Sequence, residues 1–396
     1  MVSPAQLCLY CKGSRNLCGL GYCPLLKGIE KAKVFDKDEF FGPSSSVFIG
    51  RVGYPNVFVG PLGWAHDDDI TSPKNWFGME YEKIIEMRSF VLRSKYKVNI
   101  RSKDRFVEEN QLIAMSKKPV DVELKFKGKP VRRMNFSTIV QPMGPSAVLK
   151  EMKTVENVSV KRAVERIVND DIKSNEAINL LYQKRIDLYK ITEIFSSGIV
   201  GKDKKMVPTR WSITAVDDII TKNLLNEIRK FKPIDEFRVY EMEFLNNHFE
   251  ILLIPGFWEF ENFEAWAPGS FWSQNLKKTQ IIEEYEPFEG RKKYAEKEAG
   301  GYYAARFGIV EALYKMRRQA RVVSFREVYE GYMVPLGVWV VRETVRNAMK
   351  RNYESFSTLK DALDHIRSKL RIPLEKYIEK SKILQQRRLS DFLRSI

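Results

Sequence analysis

All four cysteines of this 396-residue chain fall within its first 23 residues, at Cys8, Cys11, Cys18 and Cys23. No other feature constrains the fold so tightly. A chain of this size that uses cysteine nowhere else is not using it for packing, and a segment of about 25 residues cannot build a core of its own. Four thiolates meet the tetrahedral demand of a structural Zn2+, with Zn–S distances of about 2.3 Å. Cys8-x2-Cys11 makes one knuckle, and Gly13, Gly19 and Gly21 supply the backbone freedom that wrapping around an ion requires. Such a site is closed to substrate, so its role is to fold the segment. A [4Fe–4S] cluster takes the same four ligands and is the alternative. Two disulfides are the remaining reading, which an intracellular setting disfavours. Zn2+ is the expected occupant.

The rest of the chain has ample apolar material for a core, with hydrophobic residues at 44% and charged residues at 30%. At this length two to three domains are the ordinary expectation. Lys and Arg number 67 against 51 Asp and Glu, which gives a net charge of +16 and a pI near 9.4. That excess favours polyanionic partners, nucleic acid before an anionic membrane face. No stretch approaches the roughly 20 apolar residues of a spanning helix, and residues 1–30 lack the pattern of a secretion signal. The expectation is a cytoplasmic, nucleoid-associated protein with DNA and no membrane as partner. The charge is unevenly spread. Residues 291–396 carry 24 Lys and Arg against 12 Asp and Glu, whereas residues 231–290 carry 4 against 12. The acidic stretch interleaves with basic elements inside the fold, turns nucleic acid away from one face, or is simply solvated surface charge.

Hydrophobic periodicity orders the remainder. Val47–Val52 and Val57–Leu62 are short β-rich runs around Gly53-Tyr54-Pro55-Asn56, a hairpin signal. Apolar positions at Phe77, Tyr81, Ile84, Ile85 and Leu92 predict a helix from about Asn75 to Tyr96. Val120–Phe126 alternates as a half-buried strand, expected to pair through Gly128-Lys129-Pro130 with the segment from Val131. Helices are expected from Ser159 to about Ser197 and over Ser212–Phe231. A β-meander follows over Phe237–Ile254, with Asn246-Asn247 at its tight turn. Phe257, Trp258, Phe260, Phe263 and Trp266 form an aromatic stripe that reads as core. A helix over Gly300–Gln319, a strand over Arg321–Tyr329 and helices over Val338–Arg351 and Leu359–Leu370 complete the pattern, with a polar tail after Pro373. Strands and helices come in mixed order without a βαβ rhythm, so the fold class is α+β. The expected domains are the module at 1–30, α+β regions at 31–200 and 201–372, and the tail at 373–396.

The last residues run Gln386-Arg387-Arg388-Leu389-Ser390-Asp391-Phe392-Leu393. One helical turn puts Leu389, Phe392 and Leu393 on one side as a hydrophobic plug, with Gln386 reaching a separate polar pocket. This is the spacing of the PIP motif, the peptide by which replication and repair proteins dock on the PCNA sliding clamp; Leu393 stands where a second aromatic is usual. A terminal peptide suits that mode of docking.

With both ends read, the chain resembles the archaeal Nre family of DNA repair proteins. The resemblance rests on the cysteine module with Gly21-Tyr22-Cys23-Pro24, on Val47–Pro55, on Met143-Gly144-Pro145-Ser146, on Val207–Asp218 and on Gly300-Gly301-Tyr302-Tyr303-Ala304-Ala305-Arg306. The tail motif points to the clamp-binding branch. The resemblance implies DNA damage repair with the sliding clamp as partner, and it brings no catalytic residues.

Three internal constellations are candidates for chemistry. In Thr209–Thr214 followed by Asp217-Asp218, Ser212 or Thr214 can cap a helix, and Arg210 is then placed to meet a phosphate near its N-terminus. Alternatively, Asp217 and Asp218 only complement the helix dipole. His66-Asp67-Asp68-Asp69 offers oxygen ligands and an imidazole for Mg2+ or Mn2+, or is simply a polar loop. Arg51 lies between Gly50 and Gly53, where glycines allow a backbone to approach a ligand or only make a turn. Two functions are carried forward. One is a repair factor that binds DNA through basic surface and is recruited by the clamp; the other is a clamp-recruited, metal-dependent nuclease or other DNA-processing enzyme using Asp67–Asp69 or Asp217 and Asp218.

Overall fold

The computed structural model describes residues 35–64, 72–131, 144–155, 158–267, 280–332 and 335–386. The cysteine module, His66–Asp69 and Leu389, Phe392 and Leu393 lie outside the described residues. The chain divides into two compact units, one of residues 9–220 and one of residues 1–8 with 221–396.

In the first unit, β1 (Glu39–Ile49), β2 (Asn56–Trp64), β3 (Val91–Asn99), β4 (Val120–Phe126) and β5 (Ser146–Thr154) close a barrel in the order β1-β2-β3-β5-β4. Every neighbouring pair is antiparallel except β3 with β5. The hairpin expected around Gly53–Asn56 is the β1–β2 pair, with Val47 facing Pro61 and Ile49 facing Val59. Alternation fills the interior. Val57, Val59, Val98, Val122, Leu124 and Leu149 are buried, while Phe58, Lys97 and Glu123 face outward. Helix α1 (Tyr81–Ser89) precedes β3, and α2 (Arg105–Met115) joins β3 to β4. Asp104 caps α2, its Oδ1 accepting from Val107 N at 3.0 Å. Helices α3 (Arg162–Asn169), α4 (Ser174–Gln183) and α5 (Leu188–Ser196) follow, and α6 (Thr209–Ile228) runs across the boundary at residue 220. This strand order, with a single parallel pair and a helix between β3 and β4, is that of the five-stranded OB-type Greek-key barrel.

Two expectations change here. The helix foreseen over 75–96 ends at Ser89, and Val91–Asn99 is a barrel strand. Leu92, Ser94 and Val98 of that strand are buried while Lys97 and Asn99 are exposed, and this two-residue period overrides the helical one. The partners of β4 are β1 and β5, whereas Val131 makes only a bridge to Ser146.

The second unit holds a six-stranded sheet. Its strands are β6 (Phe237–Phe244), β7 (Asn247–Ile254), β8 (Glu259–Trp266), β9 (Gln280–Glu286), β10 (Arg321–Val328) and β11 (Glu354–Phe356), in the order β11-β6-β7-β10-β8-β9. Only β8 and β10 run parallel. Leu245 and Asn246, with φ of 50° and 58°, make the tight turn between β6 and β7. Against the sheet pack α7 (Gly300–Met316) and α8 (Trp339–Ala348), and Gly308 of α7 lies so close to Val345 that a Cβ would clash. Also packed on it are α9 (Leu359–Lys369), α10 (Glu375–Ile378) and α11 (Lys382–Gln385). Ala362, Ile366, Tyr377 and Ile383 from these helices meet Leu252, Phe263, Val323 and Phe325. The packed fold therefore extends past Pro373 to Ile383. The aromatic stripe is core except at its first residue: Trp258, Phe260 and Phe263 are fully buried, and Phe257 is exposed.

Every residue of β7, β8 and β10 is buried, charged ones included. The acidic stretch interleaves with basic elements. Arg326 Nη1 meets Glu264 at 2.6 Å, Arg321 Nε meets Glu259 at 3.3 Å and Arg306 Nη2 meets Glu286 at 2.9 Å. Each acid comes from 231–290 and each base from 291–396, which explains why the two segments carry opposite charge.

Candidate nucleic-acid interface

Three segments of the first unit meet at one end of the barrel: loop 50–55, the outer side of β2 and β3, and the start of α6. Ile49 N donates to Thr209 Oγ1 at 3.0 Å, which holds the first residue of α6 beside the end of β1. Ile100 N donates to Pro55 O at 3.0 Å and Met206 N to Ile100 O at 2.9 Å, so the end of β3 lies between the loop and the segment leading into α6. Within the loop Gly53 takes a φ of +84°, and a Cβ there would press on the Asn56 carbonyl; only glycine suits this turn.

The result is an exposed aromatic pair. The Tyr54 and Trp211 rings lie 5.2 Å apart at 53°, and each residue is 46% exposed. Arg51 and Arg210, both exposed, belong to the same two segments. The structure therefore brings together the two arginines that the sequence singled out separately. Along the strands, Phe58 stands directly opposite Lys97 and Asn56 opposite Asn99, all four exposed. Asn99 Nδ2 donates to Asn56 Oδ1 at 3.1 Å.

Further along β3 the cations draw closer. The Arg93 guanidinium lies 5.0 Å from the centre of the Phe48 ring, and Lys95 Nζ donates to Ser146 Oγ at 2.7 Å. Burial and the charge of Arg93 hold Lys95 below its usual value, and the same two causes push Arg88 down to about 10. Burial lowers Arg93 itself. The N-terminus of α6 adds positive potential, since its first turn holds no acidic residue.

The other sequence candidates take different places. Helix α6 begins three residues before Ser212, so Ser212 is not its cap; its hydroxyl donates to the carbonyls of Val207 and Pro208 at 3.2 and 3.3 Å. Asp217 lies about two turns into the helix and is fully buried, and Asp218 is half-buried. Gln386 is exposed at the end of the described residues. Tyr54, Phe58, Lys97 and Trp211 were not foreseen. A partial signal existed for Phe58 alone, whose alternation with Val57 and Val59 sets it on the polar side of the strand although its apolarity reads as core.

Two family models match the chain: "Archaeal Nre, N-terminal" over residues 17–273 and "Archaeal Nre, C-terminal" over residues 286–393. The chain belongs to the archaeal Nre family. Among Nre relatives, "DNA repair protein NreA" of Archaeoglobus fulgidus is 39% identical over 363 residues, which cover 90% of this chain and 92% of that protein. "DNA repair protein NreB" of the same organism is 34% identical over 393 residues, 98% of this chain and 100% of the relative. "DNA repair protein NreA" of Haloferax volcanii is 34% identical over 358 residues, 86% and 85% of the two chains. No solved structure matches. Two of the stretches that carried the Nre resemblance, Val47–Pro55 and Val207–Asp218, are those that meet at the barrel end.

Proposed function

We propose that this Nre protein is a DNA repair factor that holds single-stranded DNA across the β2–β3 side of its barrel. The observation that carries the reading is that the exposed rings of Tyr54, Phe58 and Trp211 lie on the same three segments as the exposed cations Arg51, Lys97 and Arg210, and that these segments meet at one end of the barrel. Bases stack on aromatic rings regardless of sequence, while cations follow the phosphates. OB-type barrels bind oligonucleotides on this same side. A duplex keeps its bases stacked on each other and offers the three rings nothing to stack on. The names of the relatives supply the repair context.

The remaining parts fit recruitment. Cys8, Cys11, Cys18 and Cys23 hold one Zn2+ and fold the N-terminal module. Gln386, Leu389, Phe392 and Leu393 dock on the PCNA sliding clamp. Ile383 is buried in the core and Gln386 is exposed three residues later, so the motif begins where the described chain leaves the core. Among the described residues, no helix is long and apolar enough to cross a membrane.

Fluorescence anisotropy with labelled single-stranded and duplex oligonucleotides of equal length tests the DNA reading. The single strand should bind more tightly. Trp211→Ala and Phe58→Ala should each cost about 1–3 kcal/mol on the single strand. Lys97→Glu should make the fall of log affinity with log salt shallower, by about 0.7 for each phosphate the chain no longer neutralises. Equal affinity for duplex and single strand, together with unchanged binding by both aromatic variants, would sink it.

A further inference from the structure

The β6–β7 hairpin carries an arrangement that neither the barrel nor the family resemblance accounts for. Its register sets Glu241 directly opposite Glu250 and Glu243 directly opposite His248. Because side chains alternate, all four project from one face of the sheet. Like charges directly opposite each other weaken a hairpin unless something neutralises them. One carboxylate oxygen each from Glu241 and Glu250 and one ring nitrogen of His248 all lie within 4.8 Å of one another.

Burial sharpens the problem. Glu250 is fully buried, and neither of its carboxylate oxygens has a hydrogen-bond partner. His248 is 5% exposed. Its Nε2 lies 3.1 Å from Glu250 Oε1, yet the two are not aligned for a hydrogen bond, and Nε2 also has no such partner. The ion pair with His248 engages Oε1 and leaves Glu250 Oε2 without a hydrogen bond, a costly arrangement at that depth. At the open side, Glu241 is exposed, and Lys369 Nζ reaches its Oε2 at 2.8 Å. Glu243 Oε2 is 3.8 Å from His248 Nδ1, a position from which it can orient the imidazole.

We propose that Glu241, His248 and Glu250 form a binding site for a divalent transition-metal ion, with His248 Nε2 and a Glu250 oxygen as its buried ligands. One imidazole and two carboxylates suit Mn2+ or Zn2+ more than a hard, all-oxygen ion. Three protein ligands leave positions for water or a phosphate oxygen on the exposed Glu241 side. Lys369 then acts as a stand-in cation, which the metal displaces from Glu241.

The test uses the full chain, stripped with chelator and titrated with Mn2+ while the electron paramagnetic resonance signal of the free ion is followed. Thiolates prefer softer metals, so the cysteine module does not compete for this probe. One Mn2+ should bind per chain, and Glu250→Gln and His248→Gln should each weaken it at least tenfold, with circular dichroism reporting that the fold is kept. Glu289→Gln, an exposed acid remote from the hairpin, should leave binding unchanged. If either hairpin variant fails to fold, the other decides. No Mn2+ bound by the wild-type chain, or equal binding by the folded hairpin variants, overturns the proposal.

Discussion

Single residues show how the acidic middle of the chain is accommodated. Glu286 is fully buried and receives Trp258 Nε1 at 3.2 Å, Tyr302 Oη at 3.0 Å and Arg306 Nε and Nη2 at 3.1 and 2.9 Å. Arg306→Leu would leave this carboxylate without its cation, so it should lower the unfolding free energy by about 3–5 kcal/mol in a denaturant titration. Tyr302→Phe removes one neutral donor and should cost less. Glu298 behaves differently. Burial, then the nearby Glu264 carboxylate, drives its carboxyl well above the usual 4.5, while Asn262 Nδ2 donates to it at 2.6 Å. The folded state therefore keeps a proton that the unfolded chain releases. Stability is full below the unfolded value near 4.5 and falls as pH rises toward the folded one. Glu298→Gln should flatten that fall in melting curves recorded from about pH 5 to 8; a slope equal to that of the wild type would contradict the assignment. The sequence admitted that acidic and basic segments interleave, but not which glutamates are buried or which arginines meet them. Glutamates on strands read as an outward face, and the arginines that permit their burial lie far along the chain. The exposed Phe58 and Trp211 hid for the opposite reason, since apolarity alone does not distinguish a core ring from a stacking ring.

At the scale of elements, strongly periodic segments were legible and context-dependent ones were not. The helices over 209–228, 300–316, 339–348 and 359–369 and the β6–β7 meander lie where periodicity and turn residues placed them. The segment after Ser89 did not obey its helical period, because β3 is sandwiched between β2 and β5 in a closed barrel and its surroundings set its conformation. The stretch after Pro373 looks polar, yet Leu374, Tyr377 and Ile383 are buried against the sheet. Such short helices carry too few turns to show a period. Barrel closure also depends on one small residue. Gly60 of β2 lies so near β3 that a Cβ there would run into the Ser94 carbonyl, a backbone atom that cannot move alone. Gly60→Ala should cost about 1–3 kcal/mol by thermal or chemical denaturation and should weaken single-strand binding with it. Gly128→Ala, where a Cβ meets nothing within 4 Å, should be near neutral.

For the whole molecule, composition pointed to nucleic acid, and the tail and cysteine spacing pointed to a clamp and a metal, but the proposed DNA-binding surface needed the fold. Arg51 and Arg210 stand 159 positions apart in sequence, and the Ile49–Thr209 and Tyr54–Trp211 contacts unite their segments. Recruitment and DNA binding should separate cleanly. A peptide of residues 381–396 should bind the PCNA sliding clamp in calorimetry with micromolar affinity. Phe392→Ala should cost about 2 kcal/mol or more, and truncation after Gln386 should leave DNA affinity and zinc content unchanged. The central claim is that single-stranded DNA lies across the β2–β3 side of the barrel. Hydrogen exchange of the full chain, with and without a single-stranded oligonucleotide, tests it most directly. The account predicts protection concentrated in residues 50–58, 95–101 and 206–212. Saturated binding without protection in those three segments would contradict it.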